Sequence, residues 1–197
     1  CSSKRQPLNQ KGRQRLDPAR IKKILLIRLR RIGDVIMTTP SVTALREAFP
    51  EAFISYIVED AYRELVEGNP KLDKVIVLER KENIKDLFKL IRLIQKENYD
   101  VVLDFHGGPK ASLITLLSRA KLKVGYRIKY RNFIYDIKLP RGVKSRYIHS
   151  VENHLNLVKA LGVRIDTLFP LFLPQSRPEE VEKVKNFIEK YKLEGYK

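Results

Sequence analysis

One acid stands among an unusual number of cations. Asp34 follows Gly33 in the run Arg28-Leu29-Arg30-Arg31-Ile32-Gly33-Asp34, so a single carboxylate sits beside three arginines. Neighbouring guanidinium groups favour the charged form of a carboxylate, and such a group can take a proton from an attacking hydroxyl. Glycine lets the backbone turn tightly just before it. The local pattern fits a helix cap by Asp34 equally well, and both readings stand at this point. A second constellation is Asp104-Phe105-His106-Gly107-Gly108. Paired glycines ahead of a helix opened near Pro109 would bring backbone amides close to an anionic oxygen, with His106 as a further donor. A tight turn in which Asp104 satisfies backbone donors is the simpler account of that acid. Basic clusters at Arg80, Lys81 and Lys85, and at Arg127, Lys129 and Arg131, suit carboxylate or phosphate oxygens, which arginine pairs bidentately. Taken singly, each is equally an ordinary solvated cation. His149, Glu152 and His154 invite a metal reading, but positions i, i+3 and i+5 do not share one helical face, so no metal is expected. Tyr126, Tyr130 and Tyr135 read as packing or rim residues.

These groups need a frame. Residues 22–29 hold a continuous apolar run from Ile24 to Ile27, the pattern of a strand buried on both faces. Arg30 to Asp34 then reads as a loop, and Thr38, Thr39 and Pro40 as a helix start. Short strands follow at 53–58, 75–78, 101–103 and 123–126. Between them the clearest helix is 84–97, with Ile84, Phe88, Ile91 and Ile94 as one stripe and Leu87 beside it. A further helix at 150–161 would be capped by Ser150 and turn Val151, Leu155, Val158 and Leu161 inward. Strands alternating with helices imply an α/β fold with a doubly wound parallel sheet, Rossmann-like, whose ligands sit at the carboxyl ends of the strands. The dinucleotide fingerprint G-x-G-x-x-G is absent from the first loop, which argues against a dinucleotide.

The chain has 197 residues, 43% apolar and 32% charged, enough to bury a core. No apolar run approaches the roughly 18 residues of a membrane-spanning helix. The single cysteine, Cys1, forms no disulfide within the chain and reads as a sequence boundary rather than an acylated terminus. A formal net charge of +17 calls for an anionic partner: nucleic acid, an anionic membrane face or a phosphorylated substrate. No nucleic-acid-binding motif accompanies the charge. Residues 1–20 read as a basic flexible tail and 21–165 as the folded domain. Residues 166–197 read as a Pro-bounded linker and the first helix of a truncated second domain. That helix would open on a capping box, Ser176-Arg177-Pro178-Glu179, with a stripe of Val181, Val184, Ile188 and Tyr191.

The run ILLIRLRRIGDVIMTTPSVTALREAFP resembles the N-terminal signature of the heptosyltransferases, the glycosyltransferases of the lipopolysaccharide inner core. The resemblance continues in order through VVLDFHGGPKAS, KVGYR and HSVENHLNLVKALGV, covering most of residues 22–163. It implies the N-terminal, acceptor-binding half of a GT-B type enzyme, with the donor, ADP-heptose, held by a C-terminal domain. It also implies an inverting, metal-independent transfer with Asp34 as catalytic base and no cofactor beyond the nucleotide-sugar substrate. Gly33, Arg30, Arg31, Arg80, Lys81, Lys85, His106, Gly107, Gly108, Arg127 and Arg131 would then face a lipid A–ketosugar acceptor. The expected location is the cytoplasm, peripheral on the inner membrane. The alternative is a non-catalytic module that binds anionic lipid or lipopolysaccharide, sharing the basic surface but needing no Asp34.

Overall fold

The computed structural model describes residues 20–79, 83–142, 149–167, 169–175 and 178–191. Six strands form one sheet: β1 (Lys23–Ile27), β2 (Phe53–Glu59), β3 (Lys74–Leu78), β4 (Val101–Asp104), β5 (Leu122–Tyr126) and β6 (Ile137–Leu139). Every pairing is parallel and the order is β3-β2-β1-β4-β5-β6. The expected doubly wound sheet is therefore present, with one more strand than the sequence reading held. β6 was missed because its three residues, Ile-Lys-Leu, are too short for a periodic signal.

Alternation along β1 explains the layers. Ile24 and Leu26 face one core, shared with Leu45 of α2 (Thr39–Ala48) and with Leu155 and Val158 of α5 (Ser150–Lys159). Leu25 and Ile27 face the other, shared with Ile91 and Ile94 of α3 (Ile84–Glu97) and Ile114 of α4 (Pro109–Leu117). Burying a side chain of this size contributes about 1.5–3 kcal/mol. The central strand is thus anchored from both sides, and the loops at its carboxyl end start from a rigid base.

Several local expectations need correction. Of the expected loop Arg30 to Asp34, residues 32–34 belong to a short helix, α1 (Ile32–Ile36), in whose first turn Asp34 lies. The unusual backbone of the turn falls on Arg31, at φ 73°, rather than on Gly33. In α3 the inward residues are Leu90, Ile91 and Ile94, while Ile84 and Phe88 are exposed. The α5 stripe packs as expected, but its N-cap is His149, whose Nδ1 accepts from the Val151 amide at 3.3 Å, in place of Ser150. The last helix, α6 (Pro178–Lys190), has no buried residue, and Val181, Val184 and Tyr191 on its apolar stripe are exposed. Its proposed cap residues Ser176 and Arg177 lie outside the described residues, as do residues 1–19 of the basic tail. Among the described residues no helix is long and apolar enough to cross a membrane.

Candidate active site

In this strand order the chain reverses direction across the sheet between β1 and β4, and the carboxyl ends of these two strands are where a doubly wound sheet places its ligand crevice. Asp34 follows β1, and the turn holding His106, Gly107 and Gly108 follows β4. Arg28 joins the two sides. It leaves the end of β1 almost wholly buried, at 2% exposure. Its Nη1 donates to the Phe105 carbonyl at 2.7 Å, and its Nη2 pairs with Asp34 Oδ2. Burial lowers the Arg28 pKa and the Asp34 charge opposes that shift, so the ion pair offsets part of the cost of a cation in the core. The Asp34 side chain stays 24% exposed. Its Oδ1 has no hydrogen bond among the described residues, so one oxygen is anchored by Arg28 and the other is uncommitted.

Asp104 resolves in favour of the turn. Its Oδ1 accepts from the amides of His106 at 2.9 Å and Gly107 at 2.7 Å, and its Oδ2 accepts from the Tyr135 hydroxyl at 2.6 Å. Full burial raises its pKa while these three donors oppose the shift. Its work is to shape the β4 turn. Gly107 takes the left-handed conformation at φ +69°, and a Cβ on Gly108 would stand 2.7 Å from the His106 ring. Burial first, then the charges of Arg28, Arg30 and Arg141, push the His106 pKa down to about 4. At neutral pH this imidazole is uncharged and can donate only through a neutral N–H.

The basic residues divide. Arg30 Nε pairs with Glu59 at 2.5 Å; Glu59 is buried at the end of β2. Arg31 and Arg127 are exposed on the same rim. Arg131 Nη1 donates to Ser112 Oγ at 3.1 Å, and Ser112 also bonds Tyr135, so this arginine braces the Asp104 network from outside. Lys85 lies in the first turn of α3, which follows the edge strand β3, two strands from β1. The sheet therefore brings Arg30, Arg31, Asp34 and His106 to one crevice and sets Lys85 apart. Arg80 and Lys81 lie outside the described residues.

Arg141 escaped the sequence reading, and His154 was read only as a candidate metal ligand and set aside. Arg141, just past β6, lies over the Tyr126 ring at 5.0 Å and acts electrostatically on Arg28, His106 and His154. His154 is no metal ligand: it is buried, its Nδ1 is 2.9 Å from the Tyr126 hydroxyl, and its ring meets Phe105 edge-on at 5.3 Å. Burial, then Arg28 and Arg141, lowers its pKa to about 3. The signal for His154 was its position on the inward face of α5, beside Leu155 and Val158. Tyr126 and Tyr135 pack as read, whereas Tyr130 is exposed. Among the described residues no group of three or more His, Cys, Asp or Glu could hold a metal ion.

A six-stranded parallel sheet with helices on both faces matches the fold of GT-B glycosyltransferases of the heptosyltransferase kind. A glycosyl transferase family 9 structure from Veillonella parvula is 25% identical, with a TM-score of 0.74 over 90% of this chain and 51% of its own. The Escherichia coli ADP-heptose lps heptosyltransferase II structure is 22% identical, with a TM-score of 0.66 over 84% of this chain and 50% of its own. Among curated proteins, the chain is similar to lipopolysaccharide heptosyltransferase 3 of Escherichia coli K12, 23% identical over 137 residues, 66% of this chain. Lipopolysaccharide heptosyltransferase 1 of Campylobacter coli is 25% identical over 145 residues, 68% of this chain. The chain covers 40% and 42% of these two relatives. No protein-family model matches it. The resemblance read from the sequence is borne out, and so is the fold it implied.

Proposed function

We propose that this chain supplies the acceptor-binding half of an inverting glycosyltransferase that moves heptose from ADP-heptose to the lipopolysaccharide inner core. The observation that carries the reading is the Asp34 carboxylate, tethered through one oxygen by buried Arg28 at the sheet's switch point and uncommitted through the other. The acceptor hydroxyl donates to Asp34. As its oxygen bonds to the anomeric carbon, the bond from that carbon to the nucleotide diphosphate breaks, the electron pair leaves with ADP, and the proton stays on Asp34. Arg28 holds the carboxylate in place, so little reorganisation accompanies the transfer. Arg30, Arg31, Arg127, Arg131 and Lys85, with Arg80 and Lys81, would meet the phosphates and carboxylates of a lipid A–ketosugar acceptor. Gly33, Gly107 and Gly108 would let backbone amides come close to the acceptor's anionic oxygens, and neutral His106 can donate one hydrogen bond. The donor would be held by a second domain, and the reaction would need neither metal nor cofactor. The enzyme would act in the cytoplasm at the inner membrane.

The test joins this chain to a donor-binding domain and measures heptose transfer from ADP-heptose to lipid A–ketosugar. Asp34→Asn should lower kcat by about 10²–10⁴-fold while acceptor binding persists. A wild-type rate in that variant would sink the base assignment, whereas lipid binding with no transfer even by the unsubstituted two-domain protein would make a non-catalytic lipid-binding module the better reading.

A further inference from the structure

One face of the molecule is apolar and cationic together, outside the crevice. α4 is an apolar helix nearly all round, a composition that belongs in a buried element. Yet Leu113 and Leu116 on its outer side are exposed. Its neighbour α3 exposes Ile84, Phe88 and Leu93, with Phe88 at 50% and Ile84 at 73%. On the other side the 3-10 turn Asn132–Ile134 exposes Phe133 at 73%. The three elements adjoin: Gln95 of α3 donates to the Leu117 carbonyl at 2.7 Å, and Arg131 before the turn reaches Ser112 of α4 at 3.1 Å.

Cations predominate on this face: Lys110 opens α4, and Lys129 and Arg131 lead into the turn Asn132–Ile134. On α3 the outward cations Lys85, Lys89, Arg92 and Lys96 lie among the apolar residues, and the helix's two acids are engaged: Asp86 with Lys89, Glu97 with Lys23 and Lys74. Large apolar side chains interspersed with cations suit the headgroup and upper acyl region of an anionic bilayer. A dry interface between two copies would instead lose charge at its centre, and here it would oppose cation to cation. We propose that the face formed by α3, α4 and the turn Asn132–Ile134 docks on an anionic lipid bilayer, with Phe88, Leu113, Leu116 and Phe133 entering the interface. α4 begins directly after the Gly107–Gly108 turn, so docking would set the crevice at the lipid surface. The docking stands on surface chemistry; only its bearing on sugar transfer rests on the proposed function.

The sequence contains no Trp, so Phe88→Trp gives a single reporter in the 197-residue chain. Its emission should shift to the blue with vesicles of phosphatidylglycerol and phosphatidylcholine, and not with phosphatidylcholine alone. In co-sedimentation with the anionic vesicles, Arg92→Gln and Lys96→Gln should each weaken partitioning about fivefold, the equivalent of a cation's attraction near such a surface. Phe88→Ser with Phe133→Ser should weaken it at least about tenfold, with circular dichroism unchanged because both sites are exposed. An unshifted tryptophan, or undiminished binding by the double serine variant, would reduce the effect to general attraction of a basic protein and overturn the proposal. So would self-association that Leu113→Ser abolishes, seen without vesicle binding. Asp34→Asn should bind vesicles as the parent does whatever the transfer assay shows, which keeps failure of docking apart from failure of the base assignment.

Discussion

His154 shows how far a side chain's meaning depends on what surrounds it. In the sequence it lies near His149 and Glu152; in the fold it is sealed between Tyr126 and Phe105 with its pKa lowered to about 3. The unfolded chain binds a proton there near the ordinary 6.5, whereas the folded chain resists it down to about 3. The stabilisation is therefore complete above about pH 6.5 and is lost as pH falls toward 3, at no more than about 1.4 kcal/mol per pH unit. His106, lowered to about 4 but more open to solvent, acts in the same direction with less weight. Urea midpoints measured from pH 7.5 to pH 4 should fall, and His154→Phe should flatten that slope even if it lowers stability throughout. An unchanged slope would mean that another group carries the acid sensitivity. Asp34 belongs to the same scale: its position in the chain left base and cap open, and its bond to Arg28 shows a carboxylate tied to a buried cation rather than to a helix end.

At the scale of elements, β4, β5 and the segment after β5 form one brace around the candidate site. Gly125 in β5 leaves room for the Tyr135 ring, which a Cβ would approach to 2.4 Å. Tyr135 in turn holds Asp104, and Asp104 shapes the turn at His106 and Gly107. Gly125→Ala should expel the ring and cost about 2–4 kcal/mol, read from denaturant unfolding. Gly33→Ala meets no atom within 4 Å, so it should change stability by less than about 0.5 kcal/mol. A wild-type stability for Gly125→Ala would remove the brace from the account. The elements themselves were largely legible. Apolar runs located β1 to β5, Thr38 and Pro40 marked the start of α2, and the inward residues of α5 were correct. α1, β6 and the exposure of Ile84 were not legible. Short elements carry too little periodicity, and the face a helix buries depends on which neighbours arrive beside it.

For the whole molecule, the two proposals place anionic ligands at one end of the sheet and along one flank, where cations and apolar residues lie together. Under the proposed division of labour the 197-residue chain alone should bind the acceptor, less tightly as salt rises, and transfer no heptose. Calorimetry across ionic strength and a transfer assay would test this, and measurable turnover by the chain alone would overturn it. The sequence by itself determined the parallel α/β sheet, the positions of its first five strands along the chain and the candidacy of Asp34, and it raised the expectation of anionic partners. These depend on residue type and spacing along the chain, which survive without coordinates. Only the tertiary structure decided that Arg28 links Asp34 to the β4 turn, that Asp104 is structural, that Arg141 lies over Tyr126, and that His154 is buried against Tyr126 and Phe105. It also decided that α3, α4 and the turn Asn132–Ile134 share one exposed face. Those relations join residues up to 126 positions apart, such as Arg28 and His154, and no local pattern encodes such a distance. The Asp34 site is thus written in one short run of sequence, but its geometry is set by strands that the chain reaches much later.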